Sequence, residues 1–451
     1  MASTRKSPRV DPAHALCAVD AALAAALTEH VAPGARLAVA LSGGIDSMVL
    51  LDAAAARAAA HRLLLCAIHV QHGLSPNAER WAEFCSAQCA LRGVALVTHR
   101  LSLQRRRGES LEALARSARY ACLFESEVEA VALAHHADDQ AETLLLQLLR
   151  GAGPHGLSAM ARHRPGRPAL LRPLLGLTRA TLEAYASARA LAWIDDESNA
   201  DRRHARNFLR HEVAPLLGAR FEGYPATLAR AARHQAEAVE LADALAHADG
   251  AGAIAANGLD CARLRALSPA RSRNLLRYFL RGEGLRPPSQ ARLEEMLRQL
   301  EHAAPDARTR IAHDGAEIGC HRGRVVVHAS AAPPFLRAWD GETELLLPGG
   351  VLRFEPAQGS GLAAVKFMQA PVTLRSRCGG ERIRLAADRP TRAVKKLLQE
   401  ARMPPWERDA LPLVWSGDEL AAVPGIGVAL AYQAAPGEAA WCLSWQPARP
   451  T

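Results

Sequence analysis

Residues 36–47 have the sequence Arg-Leu-Ala-Val-Ala-Leu-Ser-Gly-Gly-Ile-Asp-Ser. An apolar run precedes the two glycines, and an alanine-rich segment with helical spacing follows over 46–60. This order predicts a buried strand, a tight turn and a helix. Glycines allow a phosphate to approach the backbone closely, and a helix N-terminus offers unpaired N–H groups to an anion. The turn is therefore predicted to bind a phosphate group, with candidate ligands Ser42, Gly43, Gly44, Ile45, Asp46 and Ser47.

The turn differs from the phosphate loop of common ATPases and kinases, because no Lys-Ser/Thr pair follows the glycines. A lone Gly-Gly pair is more often a plain turn between a strand and a helix. The complete string Ser-Gly-Gly-x-Asp-Ser favours the functional interpretation, because it resembles the PP-loop of the N-type ATP pyrophosphatases. The resemblance implies cleavage of ATP between its α and β phosphates, with pyrophosphate held in this loop and AMP transferred to a substrate.

The pattern of a short apolar run and then a helical segment repeats after residue 36, which is typical of parallel strands joined by crossover helices. We predict an α/β domain over 1–215, with a doubly wound, Rossmann-like parallel sheet. Its strands are predicted over Leu37–Leu41, Leu63–Val70, Ala95–Leu101 and Ala130–Ala134, and its helices over 46–60, 77–92, 109–127 and 138–150.

The rest of the chain predicts two further domains. Residues 216–335 are rich in Ala, Leu, Arg and Glu with helical spacing and predict a helical middle domain. Residues 336–451 predict a small α+β domain. Its predicted elements are strands over Thr343–Leu347, Val351–Glu355 and Val372–Ser376 and a helix over Thr391–Ala401.

Composition excludes some classes of protein. The chain has 451 residues, 49% hydrophobic and 22% charged, which excludes a fibrous or largely disordered protein. The net charge of +9 favours a polyanionic partner. However, only four of the 55 basic residues are lysines, and such an arginine excess is also consistent with coding bias. The charge alone leaves nucleic-acid binding open.

The nine cysteines are spread along the chain, which predicts reduced thiols. Cys85 and Cys89 lack a second pair at metal-ligand spacing, so neither a structural zinc site nor an iron–sulfur cluster is predicted. No run of roughly 18 or more apolar residues occurs, and the basic start lacks the apolar core of a signal peptide. We therefore expect no membrane association and a cytoplasmic location.

A second polar cluster follows the fourth predicted strand, over His135–Thr143. Asp139 and Glu142 are three residues apart, so they share a helix face and could hold a cation together. They could also be ordinary acids that complement a helix dipole. Ligands of open α/β sheets bind beyond the carboxyl ends of the strands, where this cluster and the glycine turn should meet. The same edge should receive His69 and His72, which could equally be structural loop histidines.

Five strings in the same order make the resemblance specific to the tRNA(Ile)-lysidine synthase family. They are Ser42–Ser47, His69–Ser75, Leu111–Tyr120, Asp138–Met160 and Trp193–Arg210. C-terminal strings are similar to that family's last domain over Arg377–Arg382, Lys395–Leu398 and Pro404–Arg408. The resemblance is strong over 36–215 and 371–430 and weak between them. Gln71 departs from the family, whose members often carry His or Asn there.

The resemblance implies an enzyme that joins L-lysine to carbon 2 of the wobble cytidine in the CAU anticodon of an isoleucine tRNA. ATP becomes AMP and pyrophosphate, and Mg²⁺ is expected with the triphosphate. Asp46, Asp139 and Glu142 are candidates for lysine binding or catalysis, Asp46 alternatively for the metal, and His135 for a proton or phosphate contact. No dedicated metal motif is predicted. Cytidine or phosphate contacts are implied for Arg116, Arg119 and Arg206, which without the resemblance would be ordinary exposed helix arginines.

The same resemblance assigns tRNA acceptor-stem binding to the C-terminal domain, with candidates Arg377, Arg382, Lys395 and Lys396. A homodimer is a family expectation. One rival is a tRNA thiolase of the PP-loop group, which usually carries a Cys-x-x-Cys pair or a persulfide cysteine. Another is a non-catalytic tRNA-binding protein, which the presence of Asp46, Ser47, Asp139 and Glu142 disfavours.

Overall fold

The computed structural model describes residues 10–71, 73, 77–101, 111–195, 205–302 and 309–448. The chain forms two compact units, Met1–Leu241 and Ala242–Thr451. The first unit extends past residue 215, the predicted end of the first domain. It includes the first half of a long helix, Tyr224–Gly250, whose residues line a cavity together with residues 140–176. The three predicted domain ranges stay predictions.

The first unit contains a six-stranded sheet in the order β3-β2-β1-β4-β6-β5. All its pairs are parallel except that of β5 with β6. The strands are β1 (Arg36–Ala40), β2 (Leu64–Gln71), β3 (Ala95–Arg100), β4 (Ala130–Ala132), β5 (His163–Arg164) and β6 (Ala169–Leu171). The four predicted strands are confirmed with shifts of one or two residues at their ends, and the predicted parallel α/β fold is confirmed with them.

Helices pack on both faces of this sheet. The helices up to residue 250 are α1 (Pro12–His30), α2 (Ile45–Ala58), α3 (Ala78–Ala90), α4 (Leu111–Phe124), α5 (Ala137–Leu149), α6 (Pro154–Leu157), α7 (Arg179–Ala188), α8 (Ala205–Phe208), α9 (Ala214–Arg220) and α10 (Tyr224–Gly250). A 3-10 turn spans Pro173–Gly176, and a π-helical turn spans Leu209–Val213.

The apolar side chains of strand β1 are buried on both faces of the sheet, against different helices. Leu37 and Val39 enter one buried cluster with residues of α1, α2 and α7, whereas Ala38 and Ala40 enter a second cluster with Leu123 of α4. This alternation follows from the period of two in a strand, and burial on both faces is typical of parallel sheets. β1 also lies between β2 and β4, where the strand order reverses, so a ligand crevice is expected at its carboxyl end.

A buried carboxylate on α2, that of Asp52, forms hydrogen bonds with a residue that follows α3 and with residues in and after α7. Asp52 of α2 is only 7% exposed. Its Oδ1 accepts a hydrogen bond from Arg92 Nε at 3.1 Å, and its Oδ2 accepts one from Tyr185 Oη at 3.0 Å. Arg189 Nε also donates to Oδ2, at 3.0 Å. The carboxylate thus forms ion pairs with two guanidinium groups and accepts a hydrogen bond from one hydroxyl, and it links α2 to α7.

We expect Asp52→Ala to lower the free energy of unfolding by about 3 kcal/mol, because it leaves the mostly buried Arg92 without its carboxylate. The control is Arg189→Ala, whose side chain is 49% exposed and should contribute less than about 1 kcal/mol. Urea denaturation followed by circular dichroism measures both values. Equal losses in the two variants would contradict the assigned role of Asp52.

The second unit begins with the helical middle region and adds an antiparallel sheet that the sequence analysis did not predict. The helices are α11 (Cys261–Ala266), α12 (Pro269–Gly282) and α13 (Gln290–His302). The sheet has the order β7-β8-β11-β10-β9, with strands β7 (Ile254–Ala255), β8 (Gly258–Asp260), β9 (Ile311–His313), β10 (Ala316–His321) and β11 (Arg324–Ala329). Apolar residues of both, such as Leu276 and Ile318, form one buried cluster.

The C-terminal region contains three sheets, in the orders β12-β16-β19-β20-β21, β13-β14-β22-β15 and β17-β18. Their strands are β12 (Leu336–Ala338), β13 (Glu344–Leu347), β14 (Gly350–Gln358), β15 (Leu362–Ala363), β16 (Val372–Arg375), β17 (Arg382–Ile383), β18 (Arg392–Ala393), β19 (Leu413–Ser416), β20 (Glu419–Val423), β21 (Gly427–Val428) and β22 (Ala439–Pro447). The helices are α14 (Ala364–Phe367), α15 (Val394–Glu400) and α16 (Pro405–Ala410).

The predicted strands of this region are confirmed, but the predicted helix Thr391–Ala401 begins later, at Val394. Arg392–Ala393 instead forms strand β18, which pairs with β17 in a two-stranded antiparallel sheet.

Trp406 of α16 packs against the middle sheet. Its ring stacks on His328 of β11 with centroids 4.1 Å apart and meets His321 edge-on at 5.7 Å. Gly319 of β10 makes room, because a Cβ there would lie 2.9 Å from the Trp406 ring. The Pro404–Arg408 string therefore joins the C-terminal region to the middle sheet.

No helix among the described residues is long and apolar enough to cross a membrane.

Candidate functional site

The loop after β1 is held by its own two serines. Ser47 Oγ donates to the Gly44 carbonyl at 2.9 Å and lies 3.1 Å from Ser42 Oγ. The backbone N–H of Ser42 donates to Ser47 Oγ at 3.2 Å. Gly44 is the N-cap of α2, and no side chain of the described residues forms a capping hydrogen bond at this helix end. The first N–H groups of α2 therefore remain available to an anion, as phosphate binding requires.

Gly43 is required at the centre of this loop. Its φ of +88° lies in the left-handed region, and a Cβ at this position would lie 2.9 Å from Ile194 Cδ1. Ile194 also donates its backbone N–H to the Gly43 carbonyl at 2.9 Å. Ile45 points its side chain into the core, so only its backbone can serve a ligand.

A buried histidine connects the loop to the start of α5. The His136 side chain is 1% exposed and lies among three carboxylates. Its Nε2 is 3.6 Å from Asp46 Oδ2 and 3.4 Å from Asp139 Oδ2, and its Nδ1 is 3.5 Å from Asp138 Oδ2. Burial opposes the charged ring, but the three carboxylates outweigh burial and raise the pKa of His136 to about 10. His136 is therefore an imidazolium at neutral pH.

The charge on His136 should make stability depend on pH. A pKa raised from 6.5 to about 10 contributes stability that is fully present below pH 6.5 and is lost as the pH rises to about 10. We expect the ligand-free wild-type protein to lose more free energy of unfolding over this interval than His136→Gln. Urea titrations at several pH values measure the difference. Parallel pH profiles would show that His136 is neutral in the folded protein.

The predicted lysine-binding acids do lie side by side on α5, and two arginines contact them. Arg210 Nε donates to Glu142 Oε1 at 2.7 Å, and its Nη2 donates to Asp139 Oδ1 at 3.1 Å. Arg206 Nη2 donates to Thr143 Oγ1 at 2.6 Å, and its Nε lies 3.1 Å from Glu142 Oε2. Arg210 lies in the π-helical turn, a feature often found at functional sites.

The two acids have opposite pKa shifts. Burial raises the pKa of Glu142 despite the opposing charge of Arg210. Burial would also raise that of Asp139, but the charges of His136, Arg206 and Arg210 lower the pKa of Asp139 overall. Asp139 is therefore firmly ionised, whereas Glu142 is the better proton acceptor of the pair.

His135 is neutral, unlike its neighbour. Burial is the main cause that lowers the pKa of His135 to about 3, and the charges of Arg172 and Arg119 add to it. Arg172 Nε donates to His135 Nδ1 at 3.2 Å, so the ring hydrogen is on Nε2. His135 can therefore donate a hydrogen bond from Nε2 but is a poor proton acceptor at neutral pH.

His69 is also buried, and its Nδ1 donates to the Leu41 carbonyl at 2.9 Å. Burial lowers the pKa of His69, and the charge of Arg119 adds to the shift. Arg119 thus acts on both His69 and His135, whereas Arg116 is exposed and lies over the Tyr120 ring at 5.4 Å. Of the two predicted arginines, Arg119 is the one near the site.

Parts of two predicted strings lie outside the described residues. They are His72 together with 74–75, and 196–204 within Trp193–Arg210.

The C-terminal candidates differ in exposure. Lys395 and Lys396 are exposed on α15, and Arg382 is exposed with its Nη2 donating to the Thr391 carbonyl at 2.8 Å. The Arg377 side chain is only 12% exposed, and its Nη1 donates to the Arg408 carbonyl at 3.2 Å. The two lysines are therefore better placed for phosphate contacts than Arg377.

Sequence reasoning missed three residues as individual site candidates. His136 adjoins His135 in the same polar string, and Arg210 ends the Trp193–Arg210 string, so both had a signal. Arg172 had no such signal in the sequence. It follows β6, and only the pairing of β6 with β4 in the folded sheet brings it to His135.

Within the described ranges, no group of three or more His, Cys, Asp or Glu side chains could hold a metal ion. One carboxylate oxygen at the loop, Asp46 Oδ1, is buried without a hydrogen-bond partner among the residues described.

The glycine loop at the switch point of a parallel sheet, with a charged carboxylate cluster beside it, defines a PP-loop nucleotide-binding domain. A family model described as PP-loop domain matches residues 18–217. Models described as TilS substrate binding domain and TilS substrate C-terminal domain match residues 259–326 and 372–445.

Similar proteins extend this class to a particular family. Proteins named tRNA(Ile)-lysidine synthase from Nitrosomonas europaea and Alkalilimnicola ehrlichii are 43% and 44% identical to this chain. The alignments cover 94% and 91% of this chain, and 94% and 95% of those proteins. The chain therefore belongs to the tRNA(Ile)-lysidine synthase family, and it is a ligase.

Solved structures resemble parts of the chain. The U34-tRNA thiolase NcsA from Methanococcus maripaludis covers 50% of this chain and 80% of its own, with a TM-score of 0.45 and 15% identity. A crystal structure of a TilS C-terminal domain covers 26% of this chain and 98% of its own, with a TM-score of 0.22 and 23% identity. The family assignment rests on the sequence relatives.

Proposed function

We infer that this chain uses ATP to join L-lysine to carbon 2 of the wobble cytidine in the CAU anticodon of isoleucine tRNA. An adenylated cytidine is the intermediate, and AMP and pyrophosphate are released. The modified base changes codon reading from AUG to AUA. One observation carries this inference: in a chain of this family, His136 lies between Asp46 of the glycine loop and Asp139, which shares Arg210 with Glu142. A homodimer and a cytoplasmic location stay predictions from the resemblance.

The ATP phosphates would lie against the loop. The N–H groups at the start of α2 and the exposed hydroxyl of Ser42 would face the anion, and the helix dipole favours its charge. The buried Ser47 would act indirectly, since its hydroxyl donates to the Gly44 carbonyl and holds the loop in shape. The partnerless Asp46 Oδ1 fits a cation beside a triphosphate. With a single such carboxylate, Mg²⁺ would be held mainly by phosphate oxygens and water, and it would offset phosphate charge.

The cytidine O2 attacks the α-phosphate, and pyrophosphate leaves. Negative charge grows on the phosphoryl oxygens during this step, and fixed guanidinium groups stabilise it. Arg119 and Arg206 are half-buried whereas Arg116 is exposed, so the first two are the better candidates for this role. His135 would support the same charge with its Nε2 hydrogen, since burial lowers its pKa and keeps the ring neutral while Arg172 orients it.

The lysine side chain then attacks carbon 2, and AMP leaves with the former O2. The attacking ε-amine must be neutral, so its extra proton has to reach a nearby base. Asp139 stays ionised and attracts the ammonium, whereas Glu142, with its raised pKa, accepts the proton. Both acids contact Arg210, so the lysine ammonium must share or replace that guanidinium.

A tRNA thiolase fits the described thiols poorly. Sulfur transfer needs a thiolate nucleophile near the adenylated base. Cys85 lies 3.6 Å from His69 Nδ1 and is the thiol nearest the loop, but burial raises its pKa to about 12. Burial likewise raises the pKa of Cys89 to about 11. Both thiols are therefore protonated at neutral pH.

We expect radiolabelled lysine to enter unmodified isoleucine tRNA with a CAU anticodon, but not methionine tRNA with the same anticodon, when ATP and Mg²⁺ are supplied. Acid-precipitable label measures the reaction. Asp139→Ala should reduce incorporation at least 100-fold, roughly the effect of removing one charged transition-state contact, and should leave tRNA retention on a filter nearly unchanged. Glu183→Ala is the control, because Glu183 is an exposed acid paired only with Arg179 among the described residues.

Two results would contradict this function. Pyrophosphate release that depends on tRNA, without lysine incorporation, would keep the adenylation step and exclude lysine as the nucleophile. Equal loss of incorporation and of tRNA retention in Asp139→Ala would remove the lysine-binding role of Asp139.

The exposed Lys395 and Lys396 should contact tRNA phosphates. Replacing both with Glu should raise the Michaelis constant for tRNA about tenfold and flatten its dependence on salt, because fewer counterions are released on binding. Steady-state kinetics at several salt concentrations measure both effects. Replacing both with Arg keeps the charge and should change neither, and unchanged kinetics of the Glu variant would exclude this helix from tRNA binding.

A further inference from the structure

One cavity of the first unit has no role in the proposed chemistry. It has a volume of about 410 Å³, within the range of about 300–1,000 Å³ typical of ligand pockets. One wall is the segment Ser158–Arg162, a second is the end of the 3-10 turn at Leu175 and Gly176, and a third is the first half of α10. Gln140 of α5 lies at its inner end.

The Ser158–Arg162 wall is fixed by buried side chains. Gln140 Nε2 donates to the Met160 carbonyl at 2.9 Å, and Gln140 Oε1 accepts from the Met160 N–H at 3.0 Å. Ala159 has a φ of +52°, a left-handed conformation that costs a non-glycine residue roughly 1–2 kcal/mol. The surrounding contacts therefore hold this segment in a shape it would not adopt alone.

Arg172 joins this wall to the catalytic histidine. Its Nη1 donates to the Ala161 carbonyl at 2.8 Å, while its Nε donates to His135 Nδ1. Gln140 follows Asp139 directly, so the cavity and the acids lie around one turn of the same helix, whose diameter with side chains is about 10–12 Å. A ligand in the cavity would therefore lie within about one helix diameter of Asp139 and Glu142.

The lining combines an apolar floor with positive charge. Met160, Leu175 and Ala229 supply apolar surface, and Arg162 and Arg233 are exposed at the cavity with Arg230 beside them. Within the described ranges, none of these three arginines forms an ion pair with a carboxylate. Guanidinium planes and apolar side chains stack on unpaired bases, and guanidinium charge attracts the phosphates of single-stranded RNA.

We propose that this cavity binds an anticodon-loop nucleotide next to the reacting cytidine, with its base on the Met160 side and its phosphate on the arginines. The proposal rests on the proposed function, because that function makes a tRNA the substrate. Holding the neighbouring nucleotide would fix the position of the cytidine against His135. The Asp138–Met160 string would then have two roles, with its acids facing lysine and its last residues facing RNA.

The test measures binding of the full-length protein to a synthetic anticodon stem-loop of the isoleucine tRNA, by fluorescence anisotropy without ATP or lysine. A series of RNAs each lacks one base beside the wobble cytidine. For the wild-type protein, one of these deletions should raise the dissociation constant about tenfold, as expected for the loss of one stacked base. Arg162→Ala combined with Arg233→Ala should weaken binding of the intact RNA by about tenfold, and the same base deletion should then have little further effect.

Two further variants separate this site from general electrostatic attraction. Ala229→Leu fills the cavity without changing charge and should abolish the effect of the same base deletion, even if the double arginine variant does not fold. Arg80→Ala removes an exposed arginine of α3 outside the cavity lining and should keep that effect.

Other outcomes would overturn the proposal. In the first, no base deletion changes the dissociation constant of the wild-type protein. In the second, every deletion raises the dissociation constant equally in the wild-type, Ala229→Leu and double arginine proteins. Because the assay needs no catalysis, failure of lysine incorporation would reject the proposed function while leaving this binding result interpretable.

Discussion

The buried imidazolium of His136 is the interaction on which the site depends. It lies among Asp46 of the phosphate loop and Asp138 and Asp139 of α5, and buried carboxylates without a counter-charge would be strongly destabilising. Asp138 in turn accepts the first backbone N–H of α7 at 2.8 Å. One charged ring therefore sets the spacing of the loop, α5 and α7, and this spacing determines where phosphate and lysine would meet.

The acids of α5 are balanced by charge from a distant part of the chain. Arg206 and Arg210 reach Asp139 and Glu142 from a helical segment that includes a π-helical turn. These acids are thus paired before any substrate binds, and in the proposed function an arriving ammonium would exchange with a guanidinium instead of entering an unpaired acidic pocket. Such an exchange favours a ligand that can make the same contacts, which an amine on a flexible chain can do.

Most of the first unit was predictable because its signals are local. Short apolar runs alternate with helical spacing, and the glycine string marks a turn with a left-handed residue at Gly43. The paired acids were predictable from their spacing of three on a helix together with their place after the fourth predicted strand, at the carboxyl edge of the sheet. The complete middle sheet was not, because β8 pairs with β11 across more than sixty residues of sequence, and β7, β8 and β9 have only two or three residues each. Short strands of this kind depend on their partners more than on their own composition.

The sequence by itself determined the fold class, the phosphate loop and the acids beside it, since each follows from neighbouring residues. Only the tertiary structure decided the charges. His135 and His136 are adjacent in sequence, yet the first is neutral among Arg172 and Arg119 and the second is charged among carboxylates. Protonation depends on desolvation and on charges within a few ångströms, and the residues that supply those charges meet only when the chain has folded.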